Sequence, residues 1–198
     1  MPVEARLKKS DRTRMAILAA AREQFAQHSY DRASIRAIAA QAQIDPAMVL
    51  RYFTNKETLF ATVVDIDLQL PDLRAVDPDR RGEVLLRHFL GMWEGEARHS
   101  ALPILLRSAI THEEAATRLK EVFLRQIRGM VAAVAPKSEA ARRASLISSQ
   151  LLGLALTRYV LRLPDLTSRD ADGLVADMAP TLQRYLTGSL STLHSSDL

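Results

Sequence analysis

The chain has no cysteine, so disulfides, thiolate metal sites and cysteine nucleophiles are excluded. Glycine is scarce, seven among 198 residues, and none of it builds a phosphate-cradling loop or a GxSxG nucleophile elbow. The five histidines, at positions 28, 88, 99, 112 and 194, lack HExxH or similar ligand spacing, which argues against a bound metal. Strand signals are missing too: no alternation of β-branched residues, no Asn-Gly or Asp-Gly hairpin turn. Nothing approaches the roughly 18 unbroken apolar residues of a membrane span, and no signal-peptide pattern opens the chain. The expectation is an all-α, cytoplasmic protein with no membrane partner, metal, cofactor or catalytic residue. A helical catalyst using scattered carboxylates is the enzyme reading left.

What is present is unevenly spread. At 47% hydrophobic and 25% charged residues, the composition is that of an ordinary globular protein. The net charge is +4, yet residues 1–56 hold 10 Lys and Arg against 5 Asp and Glu, and the remainder holds 17 against 18. All the excess positive charge lies in the first segment, as in a polyanion-binding head on a neutral body.

That segment also carries the sharpest motif, Ser34 to Phe53. Ile35, Ile38, Ala39 and Ala42 recur at helical spacing and form one apolar face. Asp45 stands where a second N-cap is needed, with Pro46 at the first helical position, where a missing N–H costs nothing. Val49 and Phe53 give this second helix a buried side and leave Pro46, Ala47, Met48, Arg51 and Tyr52 outside. A short braced helix with an outward face and nearby basic residues suits a DNA major groove. A plain surface hairpin is the alternative.

Residues 1–10 read as a flexible basic arm and 11–56 as a three-helix head. Its first helix runs from about Asp11 to His28 and breaks at His28-Ser29-Tyr30-Asp31; Ser34 caps the next. Asn55 caps a connecting helix over 57–70, and the Pro-, Asp- and Arg-rich stretch from Pro71 to Gly82 leads into a body over 71–198. Helices are expected there near 83–98, 101–110, 112–135, 138–162 and 170–188. Thr111-His112-Glu113-Glu114 reads as a capping box. The 138–162 helix is apolar nearly all round, so it must be covered all round. Leu152, Gly153, Leu156 and Tyr159, with Val175, Met178, Leu182 and Leu186 of the last helix, are the expected interface with a second copy. The central core helix of a monomer is the alternative.

Residues 12–62 resemble the head of the tetracycline-repressor (TetR) family of bacterial transcription regulators. The likeness rests on Ile17-Leu-Ala-Ala-Ala, Phe25, Ser34-Ile-Arg-Ala-Ile-Ala, Asp45-Pro-Ala, Arg51-Tyr-Phe and Asn55-Lys-Glu-Thr-Leu-Phe60. The body matches in length and helical plan, and its tail from Leu163-Pro-Asp-Leu to Leu182-Gln-Arg-Tyr-Leu looks like a branch common in high-GC bacteria. The resemblance implies an N-terminal helix-turn-helix head and a C-terminal ligand-binding and dimerisation domain. It implies a homodimeric repressor on two-fold double-stranded operator DNA, associated with the nucleoid and released by a small-molecule effector. Residue by residue, Ser34 is to meet phosphate and Arg36 guanine. Tyr52 and Lys56 are to hold the sugar–phosphate backbone. Pro46, Ala47, Met48 and Leu50 are to touch thymine methyls, and Arg51 a phosphate or base edge. Two positions depart from the pattern: Gln43 replaces a usual glycine in the turn, and Leu50 a usual tyrosine.

In the body, Phe89, Met92, Trp93, Leu105, Ile110, Phe123 and Ile127 are candidates to converge on a small molecule, with Gln126 and Ser149 as buried polar groups in need of partners. Plain core is the competing reading, because serine on a helix often bonds back to a carbonyl. A helical dimerisation or adaptor protein whose head binds protein is the alternative function.

Overall fold

Helix is the only regular secondary structure among the described residues, which are 8–94 and 101–191 of a computed structural model. Residues 1–7 of the expected arm and 95–98 of the expected 83–98 helix lie outside them. Packing divides the chain into two units: residues up to Asp67 together with His99–Leu119, and Leu68–Arg98 together with Lys120 onward. This differs from the single boundary expected near residue 70, because the helix starting at Ala101 groups with the head.

The first unit begins with α1, Lys9–Arg32, whose helical dihedrals fail at Ser29 (φ 57°, ψ 177°), at the break expected from the sequence. Helices α2 (Ile35–Gln41) and α3 (Pro46–Phe53) follow, each opened by a working cap. The Ser34 hydroxyl accepts from the Ala37 N–H at 3.1 Å and the Asp45 carboxylate from the Ala47 N–H at 2.7 Å. Asn55 caps α4 (Lys56–Val63) through the Thr58 N–H at 2.7 Å. That helix stops at Val63 rather than near 70. Ile17, Phe25, Ile38, Val49, Phe53, Leu59 and Phe60 form the core, each at most 3% exposed. Phe25 meets Phe60 edge-on at 5.1 Å, and Tyr30 meets Phe60 at 4.8 Å. Helix α6 (Ala101–Ser108) packs on α1, and Arg107 donates to the Ala26 carbonyl at 3.2 Å. The following helix, α7 (Glu113–Val122), starts with the His112 carbonyl accepting from Ala116 N–H. His112, and not Thr111, therefore holds the cap position, and the expected capping box does not form, because the third helical residue is then Ala115 rather than Glu114.

The second unit is organised by α5 (Arg81–Glu94) against α11 (Ala171–Thr187). They meet at Gly82, whose N–H donates to the Gln183 side chain at 2.8 Å. Leu85, Leu86 and Leu90 are buried from one side, and Leu174, Val175, Leu182 and Leu186 from the other. A π turn, Phe123–Ile127, joins α7 to α8 (Arg128–Ala132), and a second, Ala155–Val160, extends α9 (Ala140–Leu154). A short α10 (Pro164–Thr167), absent from the sequence reading, precedes α11. Arg143 is only 5% exposed. It pairs with Glu139 and donates to the carbonyls of Tyr185 at 2.8 Å and Gly188 at 2.9 Å. Those carbonyls at the end of α11 have no intrahelical donor, and the guanidinium supplies one.

A methyl at residue 82 would sit 2.5 Å from the Ala179 carbonyl oxygen and 2.6 Å from the Gln183 nitrogen. Alanine normally gains about 1 kcal/mol over glycine in a helix, but overpacking against backbone outweighs it. Gly82→Ala is expected to lower stability by about 1–3 kcal/mol, read as a drop in the denaturant midpoint with helix content retained.

Candidate nucleic-acid interface

The turn between α2 and α3 is tight because Gln43 adopts the left-handed conformation, φ 56°. A glycine would do so freely, whereas a side chain there carries a steric cost. Carbonyls of Ala39 and Ala40 accept from the Ile44 and Gln43 N–H groups, so the turn is closed by backbone bonds. Val49 (0% exposed) and Phe53 (3%) then plug α3 into the core, and Thr54 (φ 62°) ends the helix. Arg14 lies over the Phe53 ring at 5.4 Å.

The opposite side of α3 is open. Pro46, Ala47, Leu50 and Arg51 are exposed, and Met48 and Tyr52 half-buried. Ser34 and Arg36 are exposed at the start of α2. Arg36 and Arg51 make no hydrogen bond or ion pair with the described residues. Of the nine head residues singled out from the sequence, eight therefore sit on exposed or half-exposed surface of α2 and α3.

Lys56 is placed differently. Its ammonium lies over the Tyr30 ring at 4.3 Å and 3.4 Å from the Asp31 carbonyl oxygen. The Tyr30 hydroxyl donates to Glu57 at 3.0 Å. The helix N–H at Glu57 and this hydroxyl hold the Glu57 carboxyl below its usual range, while burial, then Glu57, pushes the Tyr30 hydroxyl far above its own. Lys56 is thus seated by cation–π attraction as well as free to offer its remaining donors. Tyr30, which no sequence signal marked, is the residue that aims it.

The body residues separate. Phe89, Trp93 and Ile127 are buried and Met92 and Phe123 half-buried in the second unit. Leu105 is fully buried in the first unit instead, and Ile110 is 69% exposed. Ser149 is exposed, its hydroxyl bonded to the Leu146 carbonyl at 2.8 Å, so it faces no interior. Gln126 accepts from the Leu68 N–H at 2.8 Å.

The interface set divides too. Val175, Leu182 and Leu186 are at most 6% exposed and filled by their own subunit, which removes them from any surface. Leu152, Leu156, Tyr159 and Met178 are half-buried, and Gly153 is exposed with nothing within 4 Å of a Cβ built on it. Helix α9 is therefore covered on one side, not all round.

Residues 17–63 match the model for bacterial regulatory proteins of the tetR family, and 79–186 the model for the tetracyclin repressor-like C-terminal domain. A TetR-family regulator from Streptomyces coelicolor is similar in structure, with TM-score 0.65 and 29% identity over 92% of this chain and 98% of its own. GusR of Salmonella enterica superposes with TM-score 0.68 at 17% identity, covering 91% and 98%. The fatty acid degradation regulator FadR of Bacillus halodurans gives 0.61 at 19%, covering 89% and 100%. No curated protein sequence matches.

Two substitutions separate fold from contact at the turn. Gln43→Val adds β-branching at positive φ and is expected to cost about 1–2 kcal/mol, whereas Gln43→Gly leaves stability equal or higher. Both are read by thermal unfolding.

Proposed function

We propose, for a chain that belongs to the tetR family of bacterial regulatory proteins, that it is a homodimeric repressor released from a two-fold operator by a small molecule. The family consists of non-enzymatic transcription factors with a helix-turn-helix head, and the chain is such a regulator. The observation that carries the finer reading is the free outer side of α3 together with two unpaired guanidinium groups, Arg36 and Arg51. Free cations beside an exposed short helix are what a groove lined with phosphate recruits.

Pro46, Ala47, Met48 and Leu50 offer few hydrogen bonds, so sequence is read through thymine methyls, DNA shape and a fork from Arg36 to guanine. Ser34, Tyr52 and Lys56 hold phosphate and set register. A second copy docks on the uncovered side of α9, where Gly153 lets backbones approach and Leu152 and Leu156 supply apolar area. The effector favours a body geometry whose two heads no longer match the half-site spacing, a shift of population.

Fluorescence anisotropy on genomic fragments selected with the protein tests this reading. Affinity should fall with a log–log salt slope near −0.9 for each phosphate neutralised. Arg36→Ala should lose about 1–3 kcal/mol on cognate duplex and relax discrimination against a scrambled one, while Lys56→Ala weakens both alike. A single-chain particle in sedimentation, or binding insensitive to salt, rules the reading out.

A further inference from the structure

Trp93 is the only tryptophan in the chain, 6% exposed, and its indole N–H is buried with no hydrogen-bond partner among the described residues. A buried donor is costly unless something accepts from it. One face of the ring is taken by Tyr159, stacked at 4.7 Å and within 6° of parallel, and Phe89 leans against it at 6.0 Å. Tyr159 reaches this position from the π turn Ala155–Val160; such turns widen a helix, re-aim side chains and recur at functional sites.

The charges beside the ring pair are already spent on each other. Arg158 donates through Nε and Nη2 to Glu94 at 2.9 and 2.8 Å, and through Nη1 to the carbonyls of Leu166 and Arg169. The Tyr159 hydroxyl donates to the same Glu94 oxygen at 2.8 Å. Burial, then Glu94, pushes that hydroxyl far above its ordinary value, so it adds no charge. Among the described residues of this cluster an anionic ligand would find no uncommitted cation, and it would be repelled by the second Glu94 oxygen. The groups left over are aromatic surface and one N–H.

We infer that the small molecule sensed by the body is a neutral, planar aromatic compound whose carbonyl or ether oxygen accepts a hydrogen bond from the Trp93 indole N–H. This rests on the ligand-responsive reading above and narrows it to a chemical class. Acids, acyl thioesters and phosphorylated compounds are outside that class.

Because the chain has a single tryptophan, its one indole cross-peak in a proton–nitrogen correlation spectrum of the intact protein reports the site directly. Flavone and acetophenone serve as neutral ketone probes, naphthalene as a ring without an acceptor, and benzoate as a charged ring. The ketones are expected to shift the indole proton downfield and saturably, flavone binding at least tenfold tighter than naphthalene and benzoate leaving the peak in place. Trp93→Phe, checked for retained helix content, should lower flavone affinity at least tenfold and naphthalene affinity by a clearly smaller factor. An indole peak untouched by both ketones, equal binding of benzoate, or undiminished flavone binding by the variant overturns the inference. Release of selected genomic DNA by a charged compound alone also overturns it while leaving the ligand-responsive reading intact. Release by no compound at all removes both.

Discussion

Helices of seven and eight residues have no lasting stability alone in water, and α2 and α3 have those lengths. The whole reading head depends on supplying from outside what such helices cannot supply themselves. Side-chain caps at Ser34 and Asp45 satisfy end N–H groups, and Pro46 fixes the first turn of α3. The inward pair Val49 and Phe53 is buried, on a helix that packs against α2 and α4. A fully buried side chain of this size is worth about 1.5–3 kcal/mol, so two of them suffice to hold one short helix. The outer residues are thereby excused from any folding duty. Their chemistry can be chosen wholly for the partner, which is why an apolar Leu50 at 44% exposure is tolerable there.

The body solves a different problem. Its long helices bury charge: Arg143 and Arg158 are 5% and 9% exposed. A buried guanidinium is acceptable only when its donors are met. Arg158 is met by Glu94 and two backbone carbonyls, Arg143 by Glu139 and two more. Each guanidinium ties together segments far apart in sequence and has one geometry in which it is satisfied, which makes the arrangement specific in a way that leucine contacts are not.

The head was legible because its signals are local. The Ser34, Asp45 and Asn55 caps, Pro46 at the first turn, and the Val49–Phe53 spacing all act within a few residues, and the break near Ser29 announced itself through polar residues. What the sequence hid are facts of long range. Nothing near Lys56 says that Tyr30 will lie under it, and nothing in Ala101–Ser108 says that this helix packs on α1. Helix α11 has an apolar stripe, but periodicity cannot tell a stripe for its own subunit from one for a copy; Gly82 facing α11 decides it, and Val175, Leu182 and Leu186 turn inward. The π turns have no sequence signature, and Ser149 obeyed the bland rule that a helical serine bonds back to a carbonyl.

The Arg143 fork couples two helices mechanically. Apolar packing slides and yields under load, but a planar guanidinium held on three oxygens transmits torque with little give. Helix α9 and the end of α11 are thereby joined through one side chain, whose donors are met only while Glu139, Tyr185 and Gly188 keep their places. A displacement of α9 that kept these three bonds would carry the backbone at Tyr185 and Gly188 with it.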